Sequence, residues 1–353
     1  GSTISMLCLL HQGCCQLPID LKRVTDTLSN LGQSPNVGAA LIVSLGCEGT
    51  DHERMVEEIR AAGKPVEIIR IQELGGTSRA IQAGIDAAQR LVQEISGLQR
   101  ETVDISEVVM AIKCGASDTT SGMASNCVIG YVADKLVDLG ATVVFGETTE
   151  FLGGEHILAK RAVGGENGPI GQKIYEIVDR MEKRAKSVGE DMRGGQPTPG
   201  NIAGGLSSIE EKSLGAIVKS GHRPIQGVLE YCDRVDGQKG LWIKDAPGRE
   251  PEILTGMAAT GAQFMMFSTG RGAPQGFPSM PVIKICGNPH TYERMQHDMD
   301  LNAGRIIQGE KTIEEVGEEA FRLMLDVLSG KMTKNEALGY YGSMDIFCLG
   351  PVI

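Results

Sequence analysis

Several features are missing from this 353-residue chain, and each absence removes a class of function. It has no run of basic residues. Lys and Arg number 34 against 45 Asp and Glu, a formal charge of −11, so nucleic acid and anionic membranes are poor partners. No apolar stretch reaches the roughly 18 residues of a membrane span. The nine cysteines lack framework spacing, and the adjacent Cys14 and Cys15 are ill placed to pair with each other. They read as reduced thiols, not as a disulfide scaffold. No G-x-G-x-x-G follows the first strand with an acidic residue about twenty positions later, and no Walker-type loop occurs, which argues against a nicotinamide dehydrogenase or a phosphate cradle. The opening Gly1-Ser2 reads as a tag remnant with no signal-peptide pattern behind it. A cytoplasmic enzyme or binding domain is expected.

What is present is alternation. Strand-like segments at Leu7–Leu10, Ala39–Leu45 and Val66–Ile71 are separated by helical patterns near 21–31 and 53–62, and a long one runs from about 78 to 98. A second round has strands at 107–112 and 141–145 and a charged helix near 170–186. Further strands are predicted at 226–230, 241–244, 263–267 and 281–286, then helices at 312–329 and 333–341. Strands alternating with helices of this length imply right-handed βαβ units and a parallel sheet. The expected fold is α/β, with Rossmann-like parallel-sheet halves and helices on both faces. It divides as a first α/β unit (1–105), a second (106–190), a loop and helix (191–225) and a C-terminal α/β segment (226–353). No internal repeat is convincing.

Polar residues collect at strand ends. Val108–Ile112 runs into Lys113-Cys114-Gly115-Ala116-Ser117-Asp118-Thr119-Thr120-Ser121-Gly122, and similar junctions occur at 42–49 and 143–150. Open α/β sheets bind their ligands at such carboxyl ends, so these three ends are expected to line one crevice for a small polar molecule. A solvated interaction domain would not collect polar residues there. Gly194–Gly205, rich in Gly and Pro, is predicted to contain neither helix nor central strand and reads as a functional loop or a linker. It leads into a helix that Ser207 or Ser208 caps, with Glu210 or Glu211 completing the box.

Seven segments carry a resemblance: His11-Gln12-Gly13-Cys14-Cys15-Gln16, Lys113–Asp118, Gly153-Gly154-Glu155-His156, Gly200–Gly215, Phe267–Gly272, Pro281–Lys284 and Asp300–Gly304. Together they make the chain similar to the altronate/galactarate dehydratase family, which also contains the large subunit of (2R)-sulfolactate sulfo-lyase, over essentially its whole length. The resemblance implies dehydration of a sugar acid to a 2-keto-3-deoxy acid and a divalent metal, Fe(II) before Mn(II). It also implies a small N-terminal domain or separate small subunit as partner, which suggests that this chain is the large part of a split or shortened enzyme. A homo-oligomer is compatible with it. Thr119–Gly122 and Gly153–His156 lean toward the sulfo-lyase. Cys47-Glu48, Thr269–Gly272 and Asn302–Gly304 lean toward the dehydratases and weigh more, because an arginine in the pocket suits a polyhydroxy carboxylate.

Dehydration needs a base at the α-carbon, an acid at the leaving hydroxyl and a cation at the carboxylate. With the motif in view, Glu155 and His156 are the leading metal or acid–base pair; otherwise Glu155 caps a helix and His156 packs. Cys114, Cys47 and Cys14 form an alternative soft ligand set, or are apolar filler. Lys284, inside an apolar strand, is a candidate base if buried and a solvated edge residue if not. His11 is a candidate base or ligand. Ser117, Asp118 and Ser121 bind substrate hydroxyls or cap the following helix. Asn201, Thr198 and Lys212 belong to the loop that would close over the site. Thr269 and Arg271 follow a strand, where Arg271 can grip a carboxylate through two hydrogen bonds. Asn302 is the remaining substrate-binding candidate. His52, His222, His290 and His297 are assigned no role.

Overall fold

A computed structural model describes residues 8–11 and 13–351. Its strands are β1 (Ala40–Ser44), β2 (Val66–Arg70), β3 (Val109–Cys114), β4 (Thr142–Phe145), β5 (Ile225–Leu229), β6 (Gly240–Lys244), β7 (Phe264–Thr269), β8 (Val282–Cys286) and β9 (Leu301–Asn302). The helices are α1 (Pro18–Gly32), α2 (His52–Ala61), α3 (Thr77–Ile95), α4 (Asn126–Asp138), α5 (Glu155–Arg161), α6 (Pro169–Ser187), α7 (Pro199–Ala203), α8 (Ile209–Ile217), α9 (Glu250–Ala259), α10 (Pro289–Arg294), α11 (Gly304–Ile307), α12 (Ile313–Leu328) and α13 (Lys334–Leu338).

The parallel α/β architecture matches expectation, but the two units are unequal. β1 and β2 form a small parallel sheet of their own. The other seven strands form one sheet in the order β5-β6-β4-β3-β7-β8-β9, parallel throughout. The segments 106–190, 191–225 and 226–353 therefore feed a single sheet and its loops. Side-chain alternation sends Met110, Ile112, Val143, Phe145, Met266 and Ile283 to one face, against α4, α5, α6, α8 and α12. Ala111, Val144, Met265, Phe267 and Val282 point to the other, against α1 and α9. Burial on both faces explains why the strands read as continuous apolar runs.

Two local expectations change, and the structure chooses between two alternatives in a third. Residues 8–10 form no strand, and Leu7 lies outside the described residues. The Gly/Pro-rich loop does hold one helical turn, α7, because Pro199 occupies a first-turn position where its missing N–H costs nothing. Thr198 and Asn201 close a capping box around that turn. Ser208, not Ser207, caps α8, while the Glu211 carboxylate reaches back to the Ser207 N–H at 2.7 Å.

Strand order locates the ligand crevice. From β3 the chain moves outward to β4 and the β5–β6 edge, then returns to place β7 on the other side of β3. The connections thus diverge between β3 and β7, and the carboxyl ends of those strands flank the crevice.

Candidate active site

Each strand at the switch point delivers one polar group. After β3, Ala116 takes a left-handed conformation (φ 48°), and its carbonyl accepts the Gly270 and Arg271 N–H groups at 3.3 and 2.9 Å. The β3 and β7 loops are thereby bonded together, which fixes the start of the Arg271 side chain. Such a φ at a non-glycine residue is sparsely populated and persists only where neighbours enforce it. Asp118 follows, buried, and three bonds orient its carboxylate. Oδ1 accepts Thr120 Oγ1 at 2.5 Å and the Ser121 N–H at 3.2 Å, and Oδ2 accepts Asn288 Nδ2 from beyond β8 at 3.0 Å. Two glycines leave room for this carboxylate. A Cβ on Gly270 would lie 1.9 Å from Asp118 Oδ1, and one on Gly204 would lie 2.6 Å from Asp118 Cβ.

A cleft of about 360 Å³ opens beside it. Asp118 and Thr120 come from the β3 end, Gly204 from the loop after α7, and Arg271 from the β7 end. Asn288, His290 and Arg294 come from the segment after β8. Asn288 links two elements, since its Oδ1 accepts the His290 and Thr291 N–H groups at 3.0 and 3.3 Å while its amide holds Asp118.

The Gly/Pro loop is tied into this site. Asn201 is buried and donates to the Ser117 carbonyl at 2.8 Å, while its Oδ1 accepts the Thr198 N–H at 2.9 Å. Thr119 N–H bonds the Gly204 carbonyl at 3.1 Å, and Lys212 donates to Gln196 Oε1 at 2.6 Å. Those bonds hold α7 beside Arg271.

Behind the β3 and β4 ends lies a buried ionic cluster. Glu147, itself left-handed (φ 72°), accepts Lys113 Nζ at 2.5 Å, the Cys114 N–H at 2.9 Å and Lys219 Nζ. Lys219 also bonds Glu150 at 3.1 Å, and Lys212 approaches Glu150 at 3.2 Å. Burial pulls the Lys219 amine down, but Glu147 and Glu150 outweigh it and hold the ammonium charged. Burial likewise opposes ionisation of Glu150, yet Lys219 and Lys212 hold its carboxyl at about 2.

The structure brings Asp118 and Arg271 into the cleft and sets Ser117, Ser121, Thr269 and Asn201 around it as scaffold. Ser121 Oγ accepts the Asp118 N–H at 3.1 Å, and Thr269 Oγ1 accepts the Gly272 N–H at 3.0 Å. Asn302 Oδ1 accepts the Gly304 N–H at 2.8 Å at the start of α11. Lys284 is fully buried between β7 and β9 and does not line the cleft. Its Nζ donates to the Gln275 carbonyl over the Phe267 ring, and burial lowers its amine to about 7 against the pull of Asp300.

The remaining candidates lie apart from the cleft lining. Glu155 begins α5 without capping it, its Oε2 buried and unpartnered, and His156 beside it is exposed. His11 has a buried, unpartnered Nδ1, and burial lowers its ring pKa against the pull of Asp345. Cys114 is buried against Ser117 Oγ at 2.7 Å, and burial raises its thiol. Cys47 is exposed beside Gln72, both just beyond the strands of the small sheet. The end of β1 accordingly contributes nothing to the cleft lining. Among the described residues no three His, Cys, Asp or Glu side chains converge on one point.

Sequence reasoning passed over Asn288, His290, Arg294 and the Glu147–Lys219 cluster. Asn288-Pro289 after a strand is a readable helix-start signal; nothing in the sequence marks Lys219.

The fold and site define an α/β enzyme with a polar, arginine-bearing cleft at its topological switch point. Residues 105–350 match the family model D-galactarate/altronate dehydratase, C-terminal, and residues 5–96 match D-galactarate dehydratase/altronate hydrolase, second domain. The chain belongs to the D-galactarate/altronate dehydratase family and is a lyase by that membership, of the carbon–oxygen type in the dehydratases' case. It is 39% identical to the (2R)-sulfolactate sulfo-lyase subunit beta of Chromohalobacter salexigens, over 93% of this chain and 83% of that one. It is 36% identical to galactarate dehydratase (L-threo-forming) of Escherichia coli K12, over 92% of this chain and 63% of that enzyme. Identity to the altronate dehydratase of Bacillus subtilis is 33%, over 94% and 65%. The chain thus spans somewhat under two thirds of these two dehydratases. None of its described helices is long and apolar enough to cross a membrane.

Proposed function

We propose that the cleft binds a sugar acid and removes water across its second and third carbons, giving a 2-keto-3-deoxy acid. The observation that carries this reading is the meeting of Asp118, Arg271 and Asn288 at the ends of three adjacent strands. Arg271 grips the substrate carboxylate, and its charge offsets the negative charge that grows there as the neighbouring C–H bond breaks. Asp118, aimed by Asn288, Thr120 and the Ser121 N–H, takes the α-proton. His290, whose ring is almost wholly exposed at the rim, supplies the proton with which the β-hydroxyl leaves as water. The enol then tautomerises in solution or in the cleft. The divalent metal that the resemblance implies remains a proposed cofactor, and no step is routed through it.

The second reading is loss of sulfite from sulfolactate, favoured by the 39% identity to the sulfo-lyase subunit. It uses the same base and carboxylate anchor with a different leaving group. That relative is named as one subunit of its enzyme, and a separate small subunit or domain is accordingly proposed as partner here. The test is a panel of aldonates, aldarates and sulfolactate offered to the chain with and without that partner, scoring 2-keto acid and sulfite together. Keto acid without sulfite supports dehydration; sulfite supports the second reading. Silence from a folded sample with the partner present rejects both.

A further inference from the structure

The cleft holds two arginines where one carboxylate needs only one. Arg271 enters from the end of β7 and Arg294 from the end of α10, so the two arginines reach the same space from different elements. Among the described residues, neither arginine takes part in an ion pair. On the same segment as Arg294, His290 approaches Glu293 at 4.0 Å, a contact that includes neither arginine. Asp118 is the cleft's one carboxylate among the described lining residues, and it is already bonded to Asn288, Thr120 and the Ser121 N–H. Two guanidinium groups against one occupied carboxylate make this cleft locally cationic in a chain of formal charge −11. A concentrated patch of sign opposite to the rest of the molecule attracts and orients a ligand of complementary charge.

Resting on the reading above, we propose that Arg294 is a specificity-determining residue that binds a second anionic group of the substrate, so that the enzyme selects dianions over monoanions. Arg271 takes the carboxylate next to the reacting carbon and Arg294 the far terminus. The shared chemistry is a second oxyanion, either the distal carboxylate of an aldarate or the sulfonate of a short hydroxy acid. Guanidinium suits both because its fork matches two oxygens of one planar or tetrahedral anion. An aldonate, with a neutral hydroxymethyl at its far end, leaves Arg294 without a partner and forfeits that interaction.

The test is calorimetric titration of the full chain, parent and Arg294→Gln, with two ligand pairs. One pair is an aldarate and the aldonate of the same configuration at carbons 2 and 3; the other is sulfolactate and lactate. Turnover is scored on the same samples. A charge-assisted contact predicts a preference of roughly tenfold to a hundredfold for the dianion of at least one pair in the parent. That preference collapses toward unity in Arg294→Gln and returns in part in Arg294→Lys. Preference in the first pair identifies a distal carboxylate, and in the second a sulfonate. Equal affinity for dianion and monoanion in both pairs, no binding of any of the four, or an equal loss for both members of a pair in Arg294→Gln, overturns the proposal. The dehydration reading fails separately: selective binding of a dianion with no keto acid or sulfite leaves Arg294's role standing and removes the chemistry. Keto acid formed without selectivity does the reverse.

Discussion

Replacing Glu147 by Gln removes the hub of the buried cluster while keeping its shape. Three lysines, Lys113, Lys212 and Lys219, meet two carboxylates, Glu147 and Glu150, with all five side chains at least nine-tenths buried. Without the Glu147 charge, Lys113 loses its closest ionic partner and Lys219 keeps only Glu150 at 3.1 Å. Breaking a buried pair from one side typically costs about 3–5 kcal/mol, because an uncompensated charge stays in the interior. That is a large part of a stability of about 5–15 kcal/mol. Urea denaturation should therefore show a midpoint well below the parent's with an unchanged slope, the signature of lost stability without a changed unfolded state. Lys219→Met in the same chain should recover part of the loss, since the second charge leaves with the first and the two effects are strongly non-additive. Because Glu147 also receives the Cys114 N–H at 2.9 Å, the β3 loop that carries Asp118 should shift and turnover should fall too. A cost below about 1 kcal/mol, or simple additivity in the double variant, would refute the reading of this cluster as one coupled unit.

Gly270→Ala should leave far-UV circular dichroism unchanged and lower kcat by roughly a hundredfold, the penalty of displacing a reacting group by about 1 Å, because the new methyl overlaps the Asp118 carboxylate. Asn201→Ala removes the side-chain half of the capping box, in which Asn201 Oδ1 accepts the Thr198 N–H, and the bond to the Ser117 carbonyl. A loss of about 1–2 kcal/mol and faster proteolysis within 194–205 are expected, and an unchanged cleavage rate would count against the loop being pinned. Lys284 titrates near 7 in the folded protein, against 10.5 ordinarily. Between those values the unfolded chain carries a proton that the folded one lacks, so the lysine's penalty is greatest below pH 7 and fades as pH rises. Lys284→Met should accordingly be more stable than the parent at pH 6, with the gap narrowing toward pH 10. Glu150, held at about 2, acts in the opposite sense. Its contribution is complete above the ordinary carboxylate range and is lost as pH falls toward 2, so Glu150→Gln should lose its stability deficit in strong acid.

Strands, most helices and the parallel class were legible because apolar runs and glycine-marked junctions are local signals. So was the crevice at the β3 end, since a polar turn after a buried strand is informative without any knowledge of strand order. What was not legible depends on that order. The end of β1 resembles the end of β3 in sequence, yet β1 pairs only with β2. Helix α9 escaped notice because seven of its ten residues are buried, leaving no polar face to create a 3.6-residue period. Lys284 presented two readings that only its position between β7 and β9 separates. The cleft's second arginine lies 23 positions beyond the first, and nothing in that spacing shows that they share one space.

The central claim is that Asp118 and Arg271 perform the chemistry in this cleft, and steady-state kinetics on the best acid of the panel test it most directly. Asp118→Asn should lower kcat by at least about a hundredfold with the fold intact, the usual contribution of a positioned base. Arg271→Gln should act chiefly by raising KM, by roughly tenfold or more. An Asp118→Asn enzyme whose kcat stays within about threefold of the parent would contradict the account, because no general base lost from this position leaves so small a mark.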